Sequence, residues 1–236
     1  MANSLDQIVE KLRKALDSGL VSVVLYGSGA TGDHNEKFSD YNILAVLSKI
    51  TPAELRSVEP VFRWWREQGN PSPLLLTEHE LKNSTDCFAI EFHDIREHNK
   101  ILCGPDLVSD LEIDRSFYRA QVECELRTKL LRLRQKAGGL LSDKDALRRL
   151  MADSVSTFCI LFRHALLLAG FAAPARKRDI VNAAGQHFSI EIAPFLTLLD
   201  HREQKVRAKE IEPEPLFARY MIQIEKVIDA VDVLAK

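Results

Sequence analysis

The chain has 236 residues, of which 46% are hydrophobic and 28% are charged. This composition is typical of an ordinary soluble globular protein, and the length allows one large domain or two smaller ones; a disordered chain is excluded. The formal net charge of −2 argues against a protein dedicated to binding nucleic-acid backbones, because such a protein needs an excess of cations.

Along the first half of the chain the hydrophobic pattern changes period several times. A helix is predicted from Ser4 to a stop at Gly19, and a second one from Pro52 to about Gly69. β-type patterns occur between and after these helices, and they predict four strands: LVSVVLYG (20–27), NILAVL (42–47), SPLLLT (72–77) and CFAIEFHDI (87–95). The first half is therefore predicted to form a mixed sheet with helices packed against it.

From about Asp114 onward the apolar spacing is helical throughout. It predicts five helices, over about 117–137, 143–170, 176–187, 190–202 and from the EPEP segment to the C-terminus. The segment GPDLVSDLEID (104–114) marks the change in pattern. We therefore expect an α+β fold in two domains, an α+β domain over 1–113 and an all-α helical bundle over 114–236.

Two features bear on location and partners. The longest apolar segment, FCILFRHALLLAGFAA, carries Arg163 and His164 in its middle and predicts a buried helix instead of a membrane span. The four cysteines form no Cys-x-x-Cys pair, which favours reduced thiols. We therefore expect a cytoplasmic protein with no membrane partner. The last helix carries a long apolar stripe, which fits either a homodimer or packing inside the same chain.

Gly27 and Ser28 follow the first predicted strand, at the end of LVSVVLYGS. A strand that ends in Gly-Ser and runs into a helix leaves backbone N–H groups at the turn, and these groups together with the serine hydroxyl can hold a phosphate. Glycine allows the phosphate to approach closely, because it has no β-carbon. The next strand opens with Asp40-Tyr41-Asn42, whose first and third side chains point to the same face.

These motifs resemble the DNA polymerase β-like nucleotidyltransferase superfamily, whose pattern is Gly-Ser, about ten residues, Asp-x-Asp, and a third acid on a later strand. The frame LYGS…SD is most similar to the aminoglycoside adenylyltransferases and the minimal bacterial nucleotidyltransferases, which also have a helical C-terminal domain. The resemblance implies that Gly27 and Ser28 bind the phosphates of a nucleoside triphosphate. It implies a Mg²⁺ site at Asp40, Asn42 and a third acid, for which Glu91 is the best match and Asp94 the alternative. Asp40 and Glu91 are then the catalytic residues.

Asn42 departs from this pattern, because the family has a second aspartate there. An amide oxygen can bind a cation, but it carries no charge and bridges two cations poorly. Loss of a group that stabilises transition-state charge costs roughly 10²–10³ in rate. Three other carboxylates are candidates for a compensating ligand: Asp33, Glu36 and Asp94.

Two functions remain open at this point. The first is transfer of a nucleoside monophosphate from NTP·Mg²⁺ to a hydroxyl group of a small molecule or a protein, with activity weakened by Asn42. The second is a catalytically inactive homologue that binds a nucleotide or a partner protein through the same site. A third alternative, an RNA-cleaving or toxin–antitoxin helical module, lacks its expected signature, an arginine followed after four to six residues by a histidine, in the long helices.

Overall fold

The structure is a computed structural model that describes residues 4–30 and 41–234, apart from the side chain of Ser28. Contacts divide the chain into two compact units, Met1–Ser116 and Phe117–Lys236, called here the sheet unit and the helical unit. The predicted fold class is confirmed, because the sheet unit contains a four-stranded mixed sheet with helices and the described part of the helical unit contains helices without strands. That the units are domains able to fold separately stays a prediction.

The sheet unit has its strands in the order β3-β2-β1-β4. Strand β1 is antiparallel to β2 and to β4, whereas β3 is parallel to β2. The elements in chain order are α1 (Ser4–Leu16), β1 (Leu20–Tyr26), β2 (Asn42–Leu47), α2 (Pro52–Glu67), β3 (Leu74–Thr77), α3 (Glu78–Asn83), α4 (Ala89–Glu97) and β4 (Asn99–Cys103).

Both faces of this sheet are covered, and alternation along the strands assigns side chains to each face. On one face, residues of α1 and α2 such as Leu12 and the fully buried Trp65 pack against Ile43 and its neighbours. On the other face, Phe92 of α4 packs against Leu44 and its neighbours. A capping box fixes the start of α2, where the Thr51 side chain accepts a hydrogen bond from the Ala53 N–H. The middle strands are therefore buried on both sides.

One predicted strand is wrong. The segment CFAIEFHDI (87–95) forms most of helix α4, preceded by the short helix α3, and the fourth strand is β4, which follows it. The β-type pattern of this segment suggested a strand, yet Phe88 is 50% exposed whereas Ala89 and Phe92, three residues apart, are buried. That spacing is helical. Glu91 consequently lies on a helix and not on a strand.

In the helical unit the five predicted helices are confirmed. They are α5 (Tyr118–Ala137), α6 (Lys144–Leu168), α7 (Lys177–Phe188), α8 (Ala193–Arg202) and α9 (Pro213–Asp232). Helix α6 is long and apolar enough to cross a membrane, but most of its apolar stretch is buried inside the protein. It is therefore the core helix that its Arg163 and His164 predicted, and the cytoplasmic location stays a prediction.

The apolar stripe of α9 faces the interior of the same unit. Its members are buried: Leu216, Phe217, Tyr220, Ile224, Val227, Ile228 and Val231. The stripe is therefore explained by packing within the chain, and it supplies no argument for a homodimer.

Candidate functional site

The turn after β1 is a 3₁₀ turn over Gly27–Gly29. Gly27 has φ +73°, a conformation that side-chain-bearing residues rarely adopt. Its N–H donates to the His98 carbonyl oxygen at 3.0 Å, and its own carbonyl accepts from the Ala30 N–H at 2.9 Å. The Gly27 N–H is thus engaged, contrary to the expectation that the turn leaves it available. Because Gly27 has no β-carbon, the turn permits close approach of a ligand, but phosphate binding at Gly27 stays a prediction.

Asn42 lies directly beside this turn. It opens β2 and is the register partner of Tyr26, the last residue of β1. A β-carbon built on Gly27 would lie 3.4 Å from Asn42 Nδ2, so the amide packs against the glycine. Because strand side chains alternate, Asn42 shares the face of Leu44, which is the face covered by α4. Asn42 therefore lies at the start of β2 beside the glycine turn, and its role as a metal ligand stays a prediction.

Three predicted acids fall outside the described residues: Asp33, Glu36 and Asp40. The predicted ligand Asp40 immediately precedes the described Tyr41-Asn42 pair in the sequence. Its assignment as metal ligand and catalytic residue stays a prediction, as does the phosphate-binding role of the Ser28 hydroxyl.

The later acids approach the same end of the sheet, but from a helix. Glu91 and Asp94 are three residues apart on α4 and therefore project from one side of it. Burial of Tyr26 raises the pKa of its phenol, and the negative charges of Glu91 and Asp94 raise that pKa further. Both carboxylates are thus electrostatically close to the residue that precedes Gly27. Which of the two acts as the third acid stays a prediction.

Asn99 belongs to this site and was missed by the sequence analysis. It opens β4 and is the register partner of Tyr26 on the side opposite Asn42. Its Nδ2 donates to the Arg96 carbonyl oxygen at 3.0 Å, which ties β4 to the end of α4. The three neighbouring strands therefore present the row Asn42, Tyr26, Asn99, here called the amide row. It was missed because β4 itself was not predicted.

Two further residues hold the beginning of β2 in place. The Tyr41 N–H donates to Asn70 Oδ1 at 3.0 Å, which links β2 to the turn after α2. A β-carbon on Gly29 would lie 3.1 Å from Tyr41 Cδ1, so the Tyr41 ring closes against the 3₁₀ turn. The sequence signals were the Gly69-Asn70-Pro71 turn and the second glycine of the Gly-Ser-Gly turn, neither of which had been connected with the site.

Asn42, Glu91 and Asp94 carry donor atoms of the kind that a hard cation binds. An amide oxygen from Asn42 and carboxylates from Glu91 and Asp94 are oxygen ligands of the kind that Mg²⁺ takes, usually together with water and substrate phosphates. The amide row is uncharged, whereas a site that binds two cations needs carboxylates that bridge them. Among the described residues, the chemistry therefore fits a single Mg²⁺ held in part by phosphate, and it fits a two-cation site poorly.

No protein-family model and no curated protein sequence matches the chain. Among solved structures, the chain is similar to the crystal structure of the spectinomycin adenyltransferase AAD(9) from Enterococcus faecialis with ATP and spectinomycin. The match covers 97% of this chain and 98% of that chain, with a TM-score of 0.63 and 15% sequence identity. At this identity the similarity shows the fold alone: the chain shares the fold of that adenyltransferase, including its helical C-terminal region.

Proposed function

We propose that the protein is a nucleotidyltransferase that transfers a nucleoside monophosphate from a nucleoside triphosphate to a hydroxyl group of a small molecule. The observation that carries this proposal is the convergence at one end of the sheet: Gly27 in its positive-φ turn, Asn42 packed on it, and the Glu91 and Asp94 charges around Tyr26. The structurally similar adenyltransferase was solved with ATP and spectinomycin, which supports a nucleotide donor and a small-molecule acceptor.

In the proposed reaction the acceptor hydroxyl oxygen attacks the α-phosphorus of the triphosphate. A new P–O bond forms, the bond from the α-phosphorus to the bridging oxygen breaks, and pyrophosphate leaves. The hydroxyl proton passes to a carboxylate, for which we propose Glu91, with Asp94 as the alternative. Gly27 permits close approach of the phosphates and the Ser28 hydroxyl donates to them. A Mg²⁺ bound by Asp40, Asn42 and the α4 carboxylates would neutralise phosphate charge.

Asn42 sets the expected efficiency. The amide keeps an oxygen donor at the turn but removes one negative charge from the donor set. If that charge stabilises the transition state, its loss costs about 2.7–4 kcal/mol, or roughly 10²–10³ in rate. We therefore expect slow turnover with an otherwise ordinary nucleotide affinity.

A second function is favoured by the amide row. Asn42 and Asn99 flank Tyr26 on the two neighbouring strands. None of the three side chains in register at this end of the sheet is a carboxylate. A site of this kind is suited to binding without chemistry. In that case the protein is a catalytically inactive homologue that binds a nucleotide, or a partner protein, and acts by occupancy.

Isothermal titration of ATP and GTP, each with and without Mg²⁺, distinguishes these functions. The variants are Asn42→Asp and, as the matched control, Asn182→Asp, which makes the same change at an exposed position on α7. The enzyme proposal predicts Mg²⁺-dependent binding to the native chain. It also predicts that Asn42→Asp raises pyrophosphate release with a panel of hydroxylated small molecules by roughly 10²–10³, whereas Asn182→Asp changes nothing.

Other outcomes choose between the alternatives. Metal-independent nucleotide binding, with no turnover in either variant, supports the inactive homologue. Transfer of labelled nucleotide onto protein in the absence of a small molecule would replace the small-molecule acceptor with a protein hydroxyl. If neither the native chain nor Asn42→Asp binds a nucleotide, both forms of the proposal that involve nucleotides are wrong.

A further inference from the structure

An open groove of about 560 Å³ runs between α5 and α9 in the helical unit. We call it the α5–α9 groove, and it is lined by Arg127, Thr128, Leu130, Leu131, Arg134, Glu225, Ile228 and Asp229. Its cations come from α5 and its carboxylates from α9. The groove therefore has one basic wall and one acidic wall.

Ion pairs across the groove show how the two walls are aligned. Arg134 pairs with Glu225, and Arg127 Nη2 lies 3.7 Å from Asp232 Oδ2. Moving from Arg134 to Arg127 on one helix corresponds to moving from Glu225 to Asp232 on the other. The two helices are therefore antiparallel, and at each level of the groove a cation on one wall faces a carboxylate on the other.

The middle of the groove is apolar. Leu130 and Ile228 form a buried floor, at 4% and 3% exposure. Leu131 is 56% exposed, and it lies between Arg127 and Arg134 on the solvent-facing side of α5. On α9, Ile222 is 48% exposed and lies one turn before Glu225. An exposed leucine between two cations, opposite two acids, is the pattern of an interface with an apolar centre and a charged rim.

We propose that the α5–α9 groove is a homodimer interface, in which the groove of one copy docks on the same groove of a second copy. A two-fold axis running along the groove places each basic wall over the acidic wall of the other copy, and it brings the two Leu131 side chains towards the centre. Arg134 of each copy then faces Glu225 of the other, in addition to its own. Such complementarity fixes the register and excludes the opposite orientation, in which like walls meet. This inference concerns the helical unit and does not depend on the proposed function.

The available area fits a weak dimer. Helices α5 and α9 have 20 residues each, so each is about 30 Å long. Two adjacent helices present a face about 20 Å wide, which gives about 600 Å² per copy and about 1,200 Å² in total. That total lies at the lower end of specific interfaces, and exposed ion pairs add little. We therefore expect association in the micromolar range.

Sedimentation velocity and light scattering of the full chain, from about 1 to about 100 µM, test the proposal. The native chain should shift from monomer towards dimer over this range. Leu131→Glu should raise the dissociation constant by at least about tenfold, because it places a charge in the apolar centre. Leu141→Glu, at another leucine that is 50% exposed but lies outside the groove, is the matched control and should dimerise like the native chain.

A charge-swap pair tests the geometry itself. Arg134→Glu makes both walls acidic at that level, and Glu225→Arg makes both walls basic there, so each variant alone should remain monomeric. Mixed in equal amounts they should associate, because every cation then meets a carboxylate of the other copy. Far-UV circular dichroism checks that each variant keeps its helices.

Several results would overturn the proposal. These are a native chain that stays monomeric throughout, equal effects of Leu131→Glu and Leu141→Glu, or a mixture of the swapped variants that fails to associate. A dimer that survives Leu131→Glu would show that another surface is used. Association of the native chain only with other proteins would assign the groove to a different partner.

Discussion

The two units differ in where some of their polar side chains lie. In the helical unit, two hydrogen-bonded pairs lie inside the core: Tyr118 Oη is 2.6 Å from His164 Nδ1, and Tyr220 Oη is 3.0 Å from Ser154 Oγ. In the sheet unit, Asn42 and Tyr26 line one end of the sheet beside a glycine turn. Polar groups that the core does not need are the ones available to a ligand. The proposed chemistry is therefore placed in the sheet unit.

The two tryptophans of the chain, Trp64 and Trp65, both lie on α2 of the sheet unit. Tryptophan fluorescence therefore reports on the sheet unit alone, whereas circular dichroism at 222 nm is dominated by the long helices of the helical unit. The unfolding of each unit can thus be followed separately in a single sample.

The largest effect is expected from Phe162→Ala, which should destabilise the helical unit by about 3–5 kcal/mol. Phe162 is fully buried and its ring lies 5.2 Å from that of Phe195, so truncation leaves a cavity. If the units are separate domains, urea titration should lower the midpoint seen by circular dichroism and leave the fluorescence midpoint unchanged. Coincident shifts in both signals would show that the units unfold together.

Gly104→Ala should destabilise the sheet unit by about 3 kcal/mol. Gly104 has φ +80°, and a β-carbon there would lie 2.0 Å from the Val21 carbonyl oxygen, so β4 could no longer sit against β1. The control is Gly170→Ala in the helical unit, where φ is +78° but no atom lies within 4 Å of the added carbon. It should cost about 1 kcal/mol, from the backbone conformation alone. Equal costs in urea titrations would mean that the contact with β1 is unimportant.

Tyr220→Phe should cost about 1 kcal/mol, because it removes one buried hydrogen bond to Ser154. Ser154 Oγ still donates to the Met151 carbonyl oxygen at 2.9 Å, so no hydroxyl is left without a partner. Ser154→Ala removes the same hydrogen bond by deleting the serine hydroxyl. The double variant should therefore lose clearly less than the sum of the two, by thermal or urea unfolding. Full additivity would indicate that the two hydroxyls do not stabilise each other.

The smallest effect concerns the surface of α5. The hydrogen bond from Arg127, and then that from Arg119, holds the pKa of Glu123 below its ordinary value of 4.5. A carboxyl whose folded pKa is depressed stabilises the fold above its unfolded pKa, and this contribution is lost as the pH falls through the folded value. Glu123→Gln should thus be less stable than the native chain at pH 7, with the difference disappearing as the pH falls below about 4.5. Glu112→Gln, at an exposed site in the sheet unit, is the control.

Much of this organisation was predictable from local pattern. The five helices of the second half follow the 3.6-residue spacing of their apolar residues, and α6 was correctly expected to be a buried helix because Arg163 and His164 interrupt its apolar segment. Strands β1, β2 and β3 were correctly located by their short apolar runs. The segment 87–95 was not, because Phe88 and Phe92 fit both periods and only the packing of the sheet chooses between them.

The sequence by itself determined the Gly27-Ser28 turn, the replacement of an acid by Asn42, and the change from mixed to purely helical pattern. Only the tertiary structure decided that Glu91 and Asp94 lie on a helix, from which their charges raise the pKa of Tyr26, and that Asn99 completes the amide row. It also showed that the Gly27 N–H is engaged by His98. The physical reason is the distance along the sequence between the residues that determine each feature. The periodicity of a helix or strand depends on a few consecutive residues. Which strand pairs with which depends on the burial of sheet faces, and those faces are formed by residues far apart in the chain.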